Sequence, residues 1–451
     1  MSCSTSTSDA PKSKPLDAMG DITRLNARTV RILGQNPSTF TLNGTNTYLL
    51  MPPSDWNFED RNTLLPAMLV DTGDAREDYA PILEQVLRGN LSMQDDAHAP
   101  VRIGITDIIL THWHHDHVGG VPFVLRMLDK LRKEAAPYAQ VPVPRIFKFP
   151  EPVTDPSLFE RVERVPLNAY LHVPGVDGPA RMMWPLRDNM TIRVRDPEDP
   201  TRVTSVRALY TPGHAADHMM FLLEEDNILL TGDNVLGRGS TVFEDLILYM
   251  HGIQRGLSLL TMRPATPLGV VGTPMTGMSG ENVLFPGHGP VIPKGKETLR
   301  RYLKHRVERE EQLLALLTCR PGDKERVNKA IAYPMEHIEA AQQGRAATHV
   351  WTLRQFVSAL YENYALNMYP AVARVLLLHL QKLSVSPAEH KAPPFPTRQT
   401  VPSTAWALTG PLVRCASLPS FQRTSQPFPD LPSNDTEWRE MLDLPWCLSA
   451  A

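Results

Sequence analysis

The sequence predicts an α/β protein built as a two-layer arrangement of β-sheet covered by helices. Three observations predict it. From Arg28 onward, short β-rich runs alternate with helical stretches. Several apolar runs stop at loops that hold Gly or Pro together with His or Asp. Beyond His288 the pattern turns helical.

The elements follow in order. Residues 1–20 are rich in Ser, Thr and Lys and lack an apolar core, so they read as a disordered lead and not as a secretory signal. Arg24, Arg28 and Arg31 come late for a transit peptide, and Asp9 and Asp17 intervene; a cytoplasmic location is expected over a mitochondrial one. Thr29–Leu33, Asn46–Met51 and Leu65–Val70 read as strands, the last running into Asp71-Thr72-Gly73. Pro52–Thr63, with Pro52, Pro53, Asp55 and Asn57, reads as a surface hairpin extension. Tyr79–Leu87 is helical. Ile103–Leu110, broken only by Gly104, Thr106 and Asp107, reads as a buried strand. Gly119-Gly120 and the apolar stretch Val121–Leu131 then suit a loop turning into a helix.

Pro137–Met190 is Pro-rich with weak periodicity and reads as a long loop. Val206–Tyr210 leads into Thr211-Pro212-Gly213-His214, Asn227–Leu230 into Thr231-Gly232-Asp233, and Asn282–Phe285 into Pro286-Gly287-His288-Gly289-Pro290. In each, Gly and Pro set a tight turn that seats a polar side chain at a strand end. Pro264–Gly280 reads as a surface insertion in preference to a substrate lid. Glu297–Leu317, Trp351–Tyr361 and Ala371–Leu383 are amphipathic helices, and Ser384–Ala451 is Pro- and Ser-rich with little periodicity.

Composition sets the bounds. A chain of 451 residues, 42% of them apolar, is long enough for two or three domains and a sizeable core. The net charge of −3 argues against a generally basic, nucleic-acid-binding surface. Cys3, Cys319, Cys415 and Cys447 are far apart and show neither metal nor disulfide spacing. No apolar run reaches the ~18 residues of a membrane helix.

The chemistry concentrates in Thr111-His112-Trp113-His114-His115-Asp116-His117. Imidazoles and a carboxylate at i, i+2, i+4 and i+5 suit a borderline cation such as Zn²⁺. His112 and His114 project to one side of a strand-end loop, while Asp116 and His117 can wrap around a second position. One loop cannot close such a site. His214, Asp233 and His288, each at a strand-to-loop junction, are the further candidates.

This ordered set resembles the metallo-β-lactamase superfamily. Asn36-Pro37-Ser38-x-Phe40-Thr41-Leu42-Asn43-Gly44-Thr45-Asn46-Thr47-Tyr48-Leu49, Thr211-Pro212-Gly213-His214 with Asp217-His218, and Gly232-Asp233-Asn234-Val235-Leu236-Gly237 narrow it. With them the chain is similar to the branch of fungal polyketide thioesterases and mitochondrial lactamase-like endoribonucleases, over about residues 20–384. The resemblance implies an αβ/βα sandwich with its ligand loops at one edge. It implies four segments: the lead, a hydrolase domain over 21–295, a helical winged-helix-like module over 296–384 and a disordered tail over 385–451. No two-stranded wing is legible after Leu383.

By the same resemblance His112, His114 and His214 hold one metal, Asp116, His117 and His288 a second, and Asp233 bridges them. Two Zn²⁺ ions per chain are expected, with Mn²⁺ or Fe²⁺ also compatible. Asp116 is the expected catalytic residue, a proton shuttle as well as a ligand. Asp71 is a candidate brace for the His112 loop, His218 reads as structural, Trp113 as core and His115 as solvent-facing. Asn46 and Thr47 fit either a cleft lining or a turn.

Two substrates fit such a hydrolase. Thioester hydrolysis, releasing an acyl or polyketide chain from an acyl carrier protein, is favoured by the weak overall charge and by Asp21–Gly34, which resembles the thioesterase side of the branch. Cleavage of single-stranded RNA is the alternative. It draws on Lys294, Lys296, Arg300, Arg301, Lys304 and Arg306, although Glu297, Glu308, Glu310 and Glu311 interleave. No membrane partner is expected.

Overall fold

The computed structural model describes residues 16, 18–59, 61–91, 99–135, 141–151, 156, 158, 183–262, 282–343, 349–362, 364, 369–384, 412–413 and 445–448. The chain divides into two units, one of residues 16–241 and 249–300, the other containing residues 242–248 and those from 301 on.

In the first unit, strands β1 (Ile22–Arg24), β2 (Thr29–Leu33), β3 (Asn46–Leu50), β4 (Leu65–Val70), β5 (Ile103–Ile109), β6 (Arg145–Lys148) and β7 (Met183–Pro185) lie in that order in one sheet. Strands β8 (Thr191–Arg195), β9 (Val203–Tyr210), β10 (Met219–Leu223), β11 (Ile228–Gly232) and β12 (Leu284–Pro286) form a second sheet in the reverse order.

Side-chain alternation sorts these strands between two cores. Leu49 of β3 and Ala67 and Leu69 of β4 join a cluster with α1 (Tyr79–Leu87) and α3 (Val121–Ala135). Tyr48 and Leu50, and Met68 and Val70, point the other way and meet Val206, Ala208, Met219, Phe221 and Leu230 of the second sheet. Both faces of β3 and β4 are therefore buried, which is why these runs read as continuously apolar. On the outer side of the second sheet lies α4 (Leu246–Met262), whose Gly256 approaches Leu229 and Met220.

Strand direction decides where the loops gather. β4 and β5 run parallel. β9 and β11 are each antiparallel to β10, so they share a direction, and β12 is parallel to β11. Hence the loops after β4 and β5 leave one end of the first sheet together, and those after β9, β11 and β12 leave one end of the second.

Two loop readings change. Among the described residues, Pro52–Thr63 forms no strand pair: Phe58 drops into the helix-side core, and Arg61 pairs with Asp196 at 2.8 Å. The stretch 137–190 contains β6 and β7, strands of four and three residues that are too short to show a period. Residues 264–280 lie outside the described residues.

In the second unit, α5 (Gly295–Leu316), which begins in the first unit, is followed by α6 (Lys324–Ala332), α7 (Pro334–Gln342), α8 (Leu353–Leu360) and α9 (Tyr369–Ser384). Pro334 opens α7, where its missing N–H costs nothing. Thr352 and Gln355 form a reciprocal capping box on α8. Leu313, Leu316, Phe356, Leu376 and Leu380 share a core with Trp351, whose indole donates to Cys319 O at 2.8 Å.

Strands β13 (Trp351–Thr352), β14 (Leu412–Val413) and β15 (Pro445–Leu448) form a small sheet with β15 in the middle. Two stretches of the segment read as a disordered tail are thus strands, and the partner of Trp351–Thr352 comes from far downstream of Leu383. The rest of 385–451 lies outside the described residues. Among the described residues no helix is long and apolar enough to cross a membrane.

Candidate metal centre

Seven side chains from the two loop-bearing ends converge in two donor clusters, His112/His114/His214/Asp233 and Asp116/His117/Asp233/His288, with Asp233 common to both. Within each, the donor atoms lie within 4.8 Å of one another.

The first sheet supplies four of them from the loop after β5. His114 precedes the short helix α2 (His115–Val118), which carries Asp116 and His117 in consecutive positions. Asp71, at the end of β4, organises this loop with one carboxylate. It accepts from Thr111 N at 2.8 Å and Thr111 Oγ1 at 2.9 Å, and its Oδ2 lies 2.7 Å from His117 Nδ1. The other nitrogen of His117 is thereby turned towards the second cluster, as a carboxylate commonly does behind a metal-binding imidazole. Thr111 Oγ1 also meets His112 Nδ1 at 2.9 Å, leaving Nε2 for the first cluster.

The second sheet supplies the rest. Gly213, at φ +130°, lets the loop after β9 turn tightly enough to present His214; a Cβ there would collide with the backbone of Tyr249. His214 Nδ1 is held by Thr241 Oγ1 at 3.2 Å. His218 sits behind the cluster, its Nδ1 3.2 Å from Thr211 Oγ1 and its Nε2 accepting from Asp233 N at 3.1 Å. It is a structural hydrogen-bonding residue, as its spacing suggested. At Gly287 a Cβ would collide with Asp233 Oδ1 and lie 3.0 Å from His117 Cε1, so only glycine fits between the two.

The loop that holds His288 is clamped from across the unit. Asn46 Nδ2 donates to Pro286 O and to Gly289 O, both at 2.8 Å, and Tyr48 Oη donates to Pro286 O at 2.7 Å. Sequence reasoning left Asn46 between a cleft and a turn role; its partners, more than 200 positions away, gave no local signal. Thr47 instead bonds Ile32 O and the Tyr79 hydroxyl, inside the fold. Trp113 is half-buried and not core, set edge-on to His114 with ring centroids 4.7 Å apart. His115 is exposed and pairs with Asp74 at 2.5 Å.

These distances suit cations. His112 Nε2, His114 Nδ1 and His214 Nε2 lie 2.8, 3.0 and 3.2 Å apart. Three ring nitrogens facing one point cannot all satisfy one another with protons. Tetrahedral ligands at ~2.0–2.1 Å from Zn²⁺ are separated by roughly 3.3 Å, close to these values. In the second cluster His288 Nε2 lies 3.1 Å from Asp116 Oδ2, 3.2 Å from Asp233 Oδ2 and 3.3 Å from His117 Nε2. Asp233 Oδ1 is buried without a hydrogen bond, a placement that a cation would satisfy. The residues fit a metal.

Electrostatics agree. Burial, reinforced by the neighbouring imidazoles, holds His112 well below its ordinary pKa and His114 down to about 3, so both are neutral and ready to ligate. Burial opposes charge on His288 and His117, but the Asp233 and Asp116 carboxylates outweigh it. They lift His288 to about 9 and His117 well above its ordinary value. The second cluster demands positive charge, whether from protons or from a metal.

The chain matches the family description "Metallo-beta-lactamase superfamily" over residues 66–270. It is similar to the Beta-lactamase-like protein 2 homolog of Drosophila melanogaster, 31% identical over 362 residues, covering 80% of this chain and 89% of that protein. It is also similar to the Atrochrysone carboxyl ACP thioesterase nsrC of Aspergillus novofumigatus, 28% identical over 302 residues, covering 67% of this chain and 66% of that protein. Among solved structures, a beta-lactamase domain protein from Burkholderia ambifaria is 17% identical with a TM-score of 0.48, covering 83% of this chain and 91% of that one.

Proposed function

The chain belongs to the metallo-β-lactamase superfamily, and from that premise we propose that it is a metal-dependent hydrolase that releases an acyl or polyketide chain from a carrier-protein thioester. The observation that carries the hydrolase reading is the pair of buried donor clusters sharing Asp233. The thioester reading draws on the name of the Aspergillus novofumigatus relative.

In this reading His112, His114 and His214 hold one ion, Asp116, His117 and His288 a second, and Asp233 both. Zn²⁺ is the ion proposed, with Mn²⁺ and Fe²⁺ compatible with a nitrogen and oxygen donor set. Two such ions, when bound, would supply Lewis acidity and lower the pKa of a bound water towards neutrality. Asp71 and His218 orient His117 and Asp233 from behind. Asp116 is the open carboxylate of the set, its side chain 27% exposed against 10% for Asp233. It is the group placed to take a proton from attacking water and pass it to the leaving group.

Three of the six cations in the basic stretch that pointed to RNA are engaged within the protein. Lys294 pairs with Glu297 at 3.4 Å, Lys304 pairs with Glu308 at 3.5 Å, and Arg306 is buried over the ring of Phe243. This supports an acyl over a polyanionic substrate. The deciding assay offers the zinc-loaded protein an acyl-pantetheine thioester and an unstructured RNA oligonucleotide side by side, with Asp116→Ala and His114→Ala as controls. Metal-dependent thioester turnover with intact RNA is expected. RNA cleavage lost in both variants would replace the thioesterase reading with a ribonuclease one.

A further inference from the structure

We propose that the buried Lys148–Asp217 ion pair is a positioning strut that sets the spacing of the His112, His114 and His214 cluster and thereby its cation affinity; the inference rests on the metal-centre reading above. Lys148 ends β6 in the first sheet, and Asp217 lies three residues beyond His214 in the loop between β9 and β10 of the second. Lys148 Nζ and Asp217 Oδ2 are 2.6 Å apart, with side chains 1% and 0% exposed.

Both ends of the strut are tied to ligand loops. On one side, Leu110 N donates to Phe147 O at 2.9 Å, joining the end of β6 to the start of the His112 loop. On the other, Thr211 N donates to His218 O at 3.0 Å, closing the loop that carries His214 and Asp217. Tyr210 Oη donates to Ala216 O at 2.9 Å, and the Tyr210 ring stacks on Phe149 with centroids 4.1 Å apart. The ion pair therefore spans the same gap between the sheets that the cluster spans, with two imidazoles from one side and one from the other.

Stability does not account for such a pair. Replacing a buried ion pair by apolar side chains of similar volume is often neutral or stabilising, because desolvation offsets the attraction. A short buried pair does fix a distance. Metal ligation tolerates errors of about 0.2 Å, and nitrogens already 2.8–3.2 Å apart leave little slack. A charge pair in place of apolar packing is the device suited to holding two sheets at that separation.

The test compares wild type, Lys148→Met/Asp217→Leu and Asp217→Asn in the full chain, each stripped of metal and titrated with Zn²⁺ against a chelating indicator. His114→Ala, which lacks a ligand of the first cluster, identifies that cluster's step in the isotherm, and the absorption of Co²⁺-loaded protein reports its geometry. The double variant is expected to melt within a few degrees of wild type yet bind the first-cluster ion about 10–100-fold more weakly, with the second ion unchanged. A merely structural pair would shift the melting temperature and leave both affinities and the Co²⁺ spectrum as in wild type, which would overturn the proposal. Should the double variant fail to fold, Asp217→Asn decides by the same criterion: a tenfold or greater loss at the first ion supports the strut, and unchanged binding overturns it. Wild-type protein that takes up no ion would sink the metal reading and this inference together, whereas two ions bound equally by all forms would sink the strut alone.

Discussion

Asp71 Oδ2 lies 2.7 Å from His117 Nδ1, and this contact settles which nitrogen of His117 faces Asp116, Asp233 and His288. Asp71 sits at φ +59°, a conformation that asparagine also tolerates. Asp71→Asn is therefore expected to keep its backbone and lose the carboxylate. The second ion should bind about 10–100-fold more weakly, read by competition with a chelator. Affinity equal to wild type would show that the carboxylate does not govern the ring.

Gly287→Ala adds one methyl group between Asp233 Oδ1 and His117 Cε1. The neighbours are proposed ligands, His117 backed by Asp71 and Asp233 by His218, so the loop must move and not the side chains. The expected cost is roughly 1–3 kcal/mol of stability, as for overpacking elsewhere. Uptake should also fall from two ions to one, measured by metal analysis of the purified variant. Full occupancy with an unchanged melt would contradict the crowding.

Metal loading should release protons. Without metal, the Asp233 and Asp116 carboxylates keep His288 protonated up to about pH 9 and raise His117 well above its ordinary value, whereas metal binding needs both rings neutral. At pH 7.5 filling the second cluster is expected to expel protons, the one on His288 among them. Titration calorimetry in buffers of differing ionisation enthalpy reads their number directly. A buffer-independent heat would mean the rings are already neutral.

A separate pH dependence belongs to the second unit. His379 on α9 is fully buried; its Nδ1 lies 3.3 Å from Glu310, which also pairs with Lys382 at 2.6 Å, and Arg306 adds positive charge nearby. Burial pushes His379 down to about 4 in spite of Glu310. Between about pH 6.5 and 4 the unfolded chain therefore binds a proton that the folded one does not, and stability falls as pH falls. The loss is at most roughly 3 kcal/mol. His379→Gln keeps a donor for Glu310 but cannot titrate, so its urea midpoint should vary less across that window. Parallel slopes would assign the acid sensitivity elsewhere.

What was legible in the sequence is what local pattern encodes. Tyr79–Leu87 is helical at the bounds its periodicity gives, and Leu65–Val70 is a strand at its own. Four of the seven ligand candidates stood out as a dense His and Asp run after the apolar stretch Ile103–Leu110, and His214, Asp233 and His288 because each follows an apolar run that ends in a Gly- or Pro-containing turn. What escaped notice depends on distant partners. β6 and β7 are too short for alternation to show, and the loop at Pro52–Thr63 is pinned by Asp196, more than 130 positions away. Lys148 carries no local signal of its burial, and only the placement of β6 brings it against Asp217. Pro445–Leu448 was hidden in a Pro- and Ser-rich segment because its partner Trp351 lies so far upstream.

The Asn46 clamp bears on the order in which this protein is made. Its amide waits for carbonyls 240 and 243 positions later, so a ribosome must deliver most of the larger unit before the loop at His288 can be pinned. A nascent chain halted shortly before that point would already hold the other six donors but could close only one of the two clusters. Such closure across long separations is slow relative to local helix formation. During synthesis the chain would thus pass through a half-assembled stage able to capture one ion, and the arrival of His288 would mark the switch to the complete centre.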